Sequence, residues 1–327
     1  MIGNTPLLEL RYKVDGRPRR VFAKYEQRNM TGSIKDRMAA WILAKAYHAG
    51  VLRPGDVIAE ATSGNTGVSF CALGRALGHP VRIYMPDWMS RERVDLIKSF
   101  GAEIVPVSRE AGGFLGSIDQ CEKFACTGPR VFLPRQFENV ANAEAHELFT
   151  AAEIERQLAC ERLVPDVVVA GVGTGGTIMG LSRALRRVNP RLKAHPLEPA
   201  ESPTLRTGKK VGKHRIQGIS DEFIPAVVHL DELDEIVDAH DGDAILMAQA
   251  LCRSLGLAVG ISSGANLIGA MQRVEATGGD AVVVTILCDS NKKYLSTDLC
   301  REEPVREGYW SPRVELCSFR AIPDPAG

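Results

Sequence analysis

An α/β fold built from two doubly wound, open-sheet halves is what this chain of 327 residues predicts. From about residue 36 onward, helical and extended patterns alternate. Several extended runs, such as Val167-Val168-Val169 and Val282-Val283-Val284, are apolar on both faces, as parallel strands covered by helices must be. Two of the strands run into glycine-rich loops that open helices. That arrangement places a binding crevice at the carboxyl ends of a parallel sheet.

The elements follow in order. Residues 21–25 read as a strand and 38–49 as a helix, entered through Ser33 with the Asp36–Arg37 pair just beyond. Strand 56–61, helix 67–77, strand 81–85, helix 91–100, strand 103–107, helix 116–125 and strand 131–133 complete the first half. A longer helical stretch at 143–158 follows, and the seam between the halves falls near residues 140–150. The second half reads strand 166–170, helix 177–188, strand 193–197, helices 243–255 and 265–277, and strand 281–287. Residues 302–327 lose periodicity and hold four prolines, so a tail or surface strap is expected there.

Composition narrows the classes. Forty basic residues balance forty acidic ones, so no overall field draws in nucleic acid or an anionic membrane. The local basic cluster Lys209-Lys210 with Lys213-His214-Arg215 reads as a solvated loop. The longest uncharged stretch, residues 254–272, is broken by glycine, serine and asparagine and is not a membrane span. Eight cysteines stand singly, without metal-like spacing, so no metal site is expected. Buried free thiols in a reducing compartment are. The first residues carry no basic stretch followed by an apolar one, so the expected location is cytoplasmic.

Chemistry concentrates in a few places. Lys35 falls in the first turn of its helix, at the positive end of the helix dipole, where an ammonium is disfavoured and a neutral amine is favoured. The strand over 56–61 runs into Thr62-Ser63-Gly64-Asn65-Thr66-Gly67, whose hydroxyls and amide suit a carboxylate. The strand over 166–170 runs into Gly171-Val172-Gly173-Thr174-Gly175-Gly176-Thr177, whose glycines and threonines suit a phosphate ester. Gly171, Gly173 and Gly176 also spell a dinucleotide fingerprint with Glu198 about 20 residues on, so an NAD(P)-dependent oxidoreductase stands as an alternative. It leaves Lys35 and the first loop unexplained. Gly260-Ile261-Ser262-Ser263-Gly264 opens a further helix.

Together these segments resemble the cysteine synthase (O-acetylserine sulfhydrylase) and cystathionine β-synthase family of pyridoxal-phosphate enzymes, of fold type II. The matching pieces are Ile2-Gly3-Asn4-Thr5-Pro6-Leu7, Gly32-Ser33-Ile34-Lys35-Asp36-Arg37, the first loop, Gln136-Phe137-Glu138-Asn139, Gly173 to Thr177, Gln217-Gly218-Ile219, the Ser262 segment and Tyr294-Leu295-Ser296-Thr297. They are collinear over residues 1–298.

The resemblance implies a pyridoxal 5'-phosphate site in a cleft between two domains. One is a smaller unit over 35–145 carrying the carboxylate loop. The other is a larger unit over 1–34 plus 146–300 carrying the phosphate loop, with 301–327 as a tail. Lys35 would hold the cofactor and move the Cα proton. Asn65 would bond its phenolic oxygen, Gly173, Thr174, Gly175, Gly176 and Thr177 its phosphate, and Ser262 its ring nitrogen. Thr62, Ser63, Thr66 and Gln136 would grip the substrate carboxylate. The implied reaction is β-replacement of O-acetyl-L-serine by sulfide to give L-cysteine, through an α-aminoacrylate. Cystathionine, S-sulfocysteine and dehydratase activities are the alternatives on the same scaffold. A homodimer and a serine acetyltransferase partner are also implied. The chain departs from the family at Met85-Pro86-Asp87-Trp88-Met89-Ser90, which carries an unusual tryptophan, and at Ser220-Asp221-Glu222-Phe223, which is acidic.

Overall fold

The structure, a computed structural model, describes residues 1–62, 64–127 and 130–326. The chain opens with β1 (Leu7–Val14) and β2 (Arg17–Tyr25), an antiparallel pair. Asp15 and Gly16 turn it, both at positive φ (48° and 78°), the backbone that a two-residue hairpin requires. The chain then leaves this sheet through α1 (Lys35–His48). It builds β3 (Val57–Ala61), α2 (Asn65–Ala76), β4 (Val81–Pro86), α3 (Arg91–Ser99), β5 (Glu103–Val107), α4 (Gly113–Thr127) and β6 (Val131–Phe132). It returns through α5 (Ala141–Ala145) and α6 (Ala151–Cys160) to β7 (Val167–Gly171), α7 (Gly176–Val188), β8 (Lys193–Pro199), α8 (Thr204–Thr207) and β9 (Val237–Ala239). Then come α9 (Asp241–Leu255), α10 (Ile261–Ala276), β10 (Val283–Leu287) and β11 (Val314–Ile322).

Two sheets result, in the orders β11-β1-β2-β10-β7-β8-β9 and β5-β4-β3-β6. The smaller is parallel throughout. The larger is parallel from β2 to β9 and antiparallel at β1 and β11. Alternate residues of the valine-rich strands enter opposite cores. Val169 and Val283 pack with Met247, Leu251 and Leu267 of α9 and α10. Val168 and Val284 pack with Ile154, Ile178 and Leu181 of α6 and α7. The smaller sheet is covered likewise. Ile58 and Ile83 meet Met38, Ile42 and Phe70 on one face, and Ala59, Ala61 and Tyr84 meet Cys121 on the other. This double burial is why the strands read as continuous apolar runs.

Four expectations are corrected. The helical stretch at 143–158 is not uniform: a π-helical turn, His146–Thr150, joins α5 to α6. The residue that caps α1 is Ile34, with no side-chain cap bond; Ser33 contributes only its carbonyl, which accepts from Asp36 N at 3.3 Å. The expected tail contains a nine-residue strand, β11, paired with β1 from Leu7↔Ile322 to Val14↔Val314. Its sparse burial hides it from a hydrophobic pattern, and ion pairs hold its end: Arg320 bonds Glu161 at 2.7 and 2.8 Å and Arg156 bonds Asp324 at 2.5 and 2.9 Å. Of the cysteines only Cys71 and Cys121 are buried, while Cys126, Cys160, Cys300 and Cys317 are exposed. Among the described residues no helix is long and apolar enough to cross a membrane, and no group of three or more side chains could hold a metal ion.

Candidate active site

Lys35 is the first residue of α1, and its neighbours are fixed on every side. Ile34 N donates to Cys288 O, one residue past β10, at 2.9 Å. Asp36 accepts from Thr31 N, Thr31 Oγ1 and Ser69 Oγ, each at 2.6 Å. Arg37 lies buried between Glu26 (2.6 and 2.8 Å) and Glu153 (2.7 Å to each oxygen). Each buried charge in that network is matched, which burial demands. Lys35 itself has no hydrogen-bond or ion-pair partner among the described residues. It points into a cavity of about 40 Å³ lined also by Thr62, Asn65, Thr66, Gln136, Gly173, Thr174 and Asp221.

The structure thus brings most of the predicted residues together. Ser63, expected at the substrate carboxylate, lies outside the described residues. In the first loop, Thr66 Oγ1 donates to Gln136 Oε1 at 2.6 Å, and Gln136 Nε2 donates to Ala61 O at 3.0 Å. Asn65 reaches across to the segment that follows β10 of the larger sheet: its Nδ2 donates to Asp289 Oδ2 at 2.6 Å and its Oδ1 accepts from Lys293 Nζ at 2.8 Å. Tyr294 O–H donates to the same Asp289 oxygen at 2.5 Å. Asp289 and Lys293 were not among the residues expected at the site. They follow β10 and adjoin the matched Tyr294 segment, which is the signal that could have found them.

The second loop is a backbone site. Gly175, at φ +85°, takes the left-handed conformation that glycine adopts without strain, and Gly176 opens α7. The N–H groups of Gly173, Thr174 and Gly175 have no acceptor among the described residues. They stand at the positive end of the α7 dipole. Asn142 Nδ2 braces the loop through Thr174 Oγ1 at 2.8 Å. His146 of the π-helical turn approaches Thr177 Oγ1 at 3.4 Å and Thr150 Oγ1 at 3.0 Å. Burial, with the Lys35 charge nearby, pushes its imidazole down to about 3, so it stays neutral behind the loop.

Ser262 is buried in the first turn of α10, beside the Cys288 thiol, and is not among the residues that line the Lys35 cavity. Asp221, unforeseen at this position, follows Ser220, which holds φ +56°. Strain of that kind needs a rigid surround, and Ser220 has one. Its N–H donates to Val172 O at 2.8 Å, its hydroxyl to Ser202 O at 2.9 Å, and its carbonyl accepts from His214 Nε2 at 3.1 Å. Burial pushes the Asp221 carboxyl up to about 6, against the opposing pull of Lys210 and Lys35.

These groups fit pyridoxal phosphate. The unpaired N–H groups at a helix N-terminus, with the Thr174 and Thr177 hydroxyls, suit a phosphate monoester. An unpaired lysine facing them suits an aldehyde. The dinucleotide alternative fares worse. Its acidic residue, Glu198, is buried and already accepts from Leu205 N at 2.6 Å and Arg206 Nη1 at 3.1 Å.

Comparison with known proteins agrees. The family model described as pyridoxal-phosphate dependent enzyme matches residues 1–289. A probable cysteine synthase of Bacillus subtilis (strain 168) is 40% identical over 299 residues, covering 91% of this chain and 96% of the relative. A hydrogen sulfide-producing enzyme from Fusobacterium nucleatum superposes with a TM-score of 0.96 at 54% identity, covering 98% of this chain and 96% of its own. Cysteine synthase from Entamoeba histolytica gives a TM-score of 0.85 at 36% identity, with 95% and 92% covered. Fold, site and family model together define a pyridoxal phosphate-dependent enzyme of fold type II. Within that class the chain belongs to the cysteine synthase family.

Proposed function

We propose that this enzyme exchanges an oxygen substituent for sulfide at Cβ of a three-carbon L-amino acid, converting O-acetyl-L-serine and sulfide to L-cysteine and acetate. The convergence of an unpaired Lys35, a phosphate cradle and a hydroxyl–amide loop on one cavity carries the reading. Gly173 to Thr177 hold the cofactor phosphate, Asn65 its phenolic oxygen and Ser262 its ring nitrogen. The bound cofactor supplies the electron sink that acidifies the Cα proton and lets the Cβ substituent leave. Lys35 Nζ takes that proton and returns it after the new C–S bond forms. Thr62, Thr66 and Gln136 hold the substrate carboxylate, and Ser63 joins them by its place in the same loop. A cavity of about 40 Å³ admits little more than one water. Loading it requires the smaller unit, residues 35–145, to swing away from the larger. The exposed apolar side chains Val140, Leu148 and Phe149 form the face we assign to a homodimer.

Asp221 favours a second reading with the traffic reversed. L-Cysteine is then the amino-acid substrate, its C–S bond breaks, and water adds at Cβ to give L-serine and hydrogen sulfide. The Asp221 carboxylate takes a proton from that water. An acid held near pH 6 beside the reacting lysine is tuned for this role, and a 54% identical relative is a hydrogen sulfide-producing enzyme.

Assays with acetylserine plus sulfide and with cysteine alone, reading cysteine, serine and sulfide, separate the two. Lys35→Ala should lower either activity about 10³-fold or more, and borohydride should no longer fix the cofactor to the chain. A colourless wild-type protein after reconstitution would sink the assignment. The sign of the pH effect follows from Asp221 acting as base. Release of sulfide from cysteine should rise as pH climbs through about 6, and Asp221→Asn should flatten that limb. A limb that persists in Asp221→Asn removes this carboxylate from the second reading.

A further inference from the structure

Outside the Lys35 cavity lies a vestibule of about 780 Å³, walled by the smaller unit on one side and the larger on the other. Phe114 lines both spaces, and Glu222 on the outer wall follows Asp221 on the inner one. Three cations face the vestibule: Arg109, Lys210 and Lys213. Lys210 is spent on Glu222 at 2.8 Å. His214 adds no charge, because burial pushes its imidazole pKa down. Arg109 is held by a ring instead of an acid, its guanidinium 4.9 Å from the centroid of Trp88. Trp88 is itself seated on Gly113, where a Cβ would come within 2.8 Å of the indole. Neither Arg109 nor Lys213 pairs with a carboxylate among the described residues. The basic cluster, whose lysines are exposed as a solvated loop requires, also lines this space.

Two uncompensated positive charges in a cleft raise the local concentration of anions. Sulfide fills a corner of this space, whereas a thiol of several heavy atoms with its own acid group fills more of it and meets the charge. We propose that, besides sulfide, the vestibule admits and favours an anionic thiol, one carrying a carboxylate, as a group that enters at Cβ, with Arg109 and Lys213 receiving the carboxylate. This rests on the β-replacement reading above. The thiol sulfur forms the new bond to Cβ, the C–O bond of the substrate breaks, acetate leaves, and the thiol proton passes to solvent.

The test is a charge series on one skeleton: mercaptoacetate, 2-mercaptoethanol and cysteamine, each with acetylserine, with kcat/KM expressed per thiolate because the thiols differ in acidity. In wild type the order should be anionic over neutral over cationic. The anionic-to-neutral ratio should fall about fivefold in Arg109→Ala and in Lys213→Ala, the size of one exposed ion pair, and further in the double variant. Added salt should lower the ratio in wild type. Both side chains are exposed, so folding is not at stake, and the neutral thiol is the reference within each variant. A flat charge series, a ratio that survives the double variant, or turnover with sulfide but with none of the thiols would overturn the inference. Absence of turnover with sulfide and thiols alike would remove the β-replacement reading first.

Discussion

The first and second glycine-rich loops share one plan, strand to loop to helix at the carboxyl end of a parallel sheet, yet they are built on different principles. The second loop works through its backbone. The N–H groups of Gly173, Thr174 and Gly175 have no acceptor among the described residues, and its glycines are forced by contact: a Cβ at Gly173 would lie 2.3 Å from Gly218 O, and one at Gly176 would lie 2.0 Å from Asn142 Oδ1. The first loop works through side chains, and those side chains bond across the cleft to Asp289 and Lys293 or sideways to Gln136. A site that holds a resident phosphate is best made rigid and belongs to one sheet. A site that must grip and release a substrate is better made of side chains tied to both halves.

Gly176→Ala tests the rigid half and should have the largest effect. The added methyl must displace Asn142, whose Nδ2 holds both Gln136 O and Thr174 Oγ1 at 2.8 Å. Overpacking of this kind costs about 1–3 kcal/mol. Cofactor affinity should fall about 100-fold, since the phosphate cradle opens with it, and the thermal midpoint of the apoprotein should fall too. Cofactor titration by absorbance and a melting curve read the two effects separately. Retention of full cofactor affinity would show that the cradle is not built by these contacts.

Asn65→Ala tests the crossing half. It removes the Asp289 and Lys293 bonds together and leaves two buried charged groups each short of a partner. The expected loss is about tenfold in kcat/KM, with cofactor affinity changed less than in Gly176→Ala. An equal loss of cofactor affinity in both variants would mean that the loops do the same job, and the contrast between them would fall.

Much of this contrast was legible in the sequence, because strand, glycine run and helix start are local patterns. The glycines at 173–176 announce a close backbone approach, and Lys35 stands where a helix begins. What crosses the cleft was not legible. Asn65 meets Asp289 across 224 residues, and no local pattern carries such a pairing. The β1–β2 hairpin escaped notice although Asp15-Gly16 is a strong turn signal, since the flanking residues 11–20 are mostly polar. β11 was missed for a related reason: it lies at a sheet edge, and an edge strand carries little of the apolar run that marks a covered one. Asp221 stood in plain view as an acidic departure. Only the strained Ser220 backbone and its hydrogen bonds show that it lines the Lys35 cavity.

The smallest change sharpens the comparison most. Thr66→Val keeps the shape of the side chain and removes only the hydroxyl that donates to Gln136 Oε1 at 2.6 Å. Gln136 is also anchored by its own N–H to Glu60 at 3.3 Å and by Nε2 to Ala61 O, so it should stay near its place. One hydrogen bond of this kind is worth about 1 kcal/mol, which predicts a KM for the amino-acid substrate about fivefold higher. On the proposal that this pair holds the substrate carboxylate equally in ground and transition states, kcat should hold. Thr66→Ser should restore KM by restoring the donor. If kcat fell with KM unchanged, the loop would be acting on the reacting atoms and not on the carboxylate. The division between a rigid cradle and a gripping loop would then have to be redrawn around Lys35.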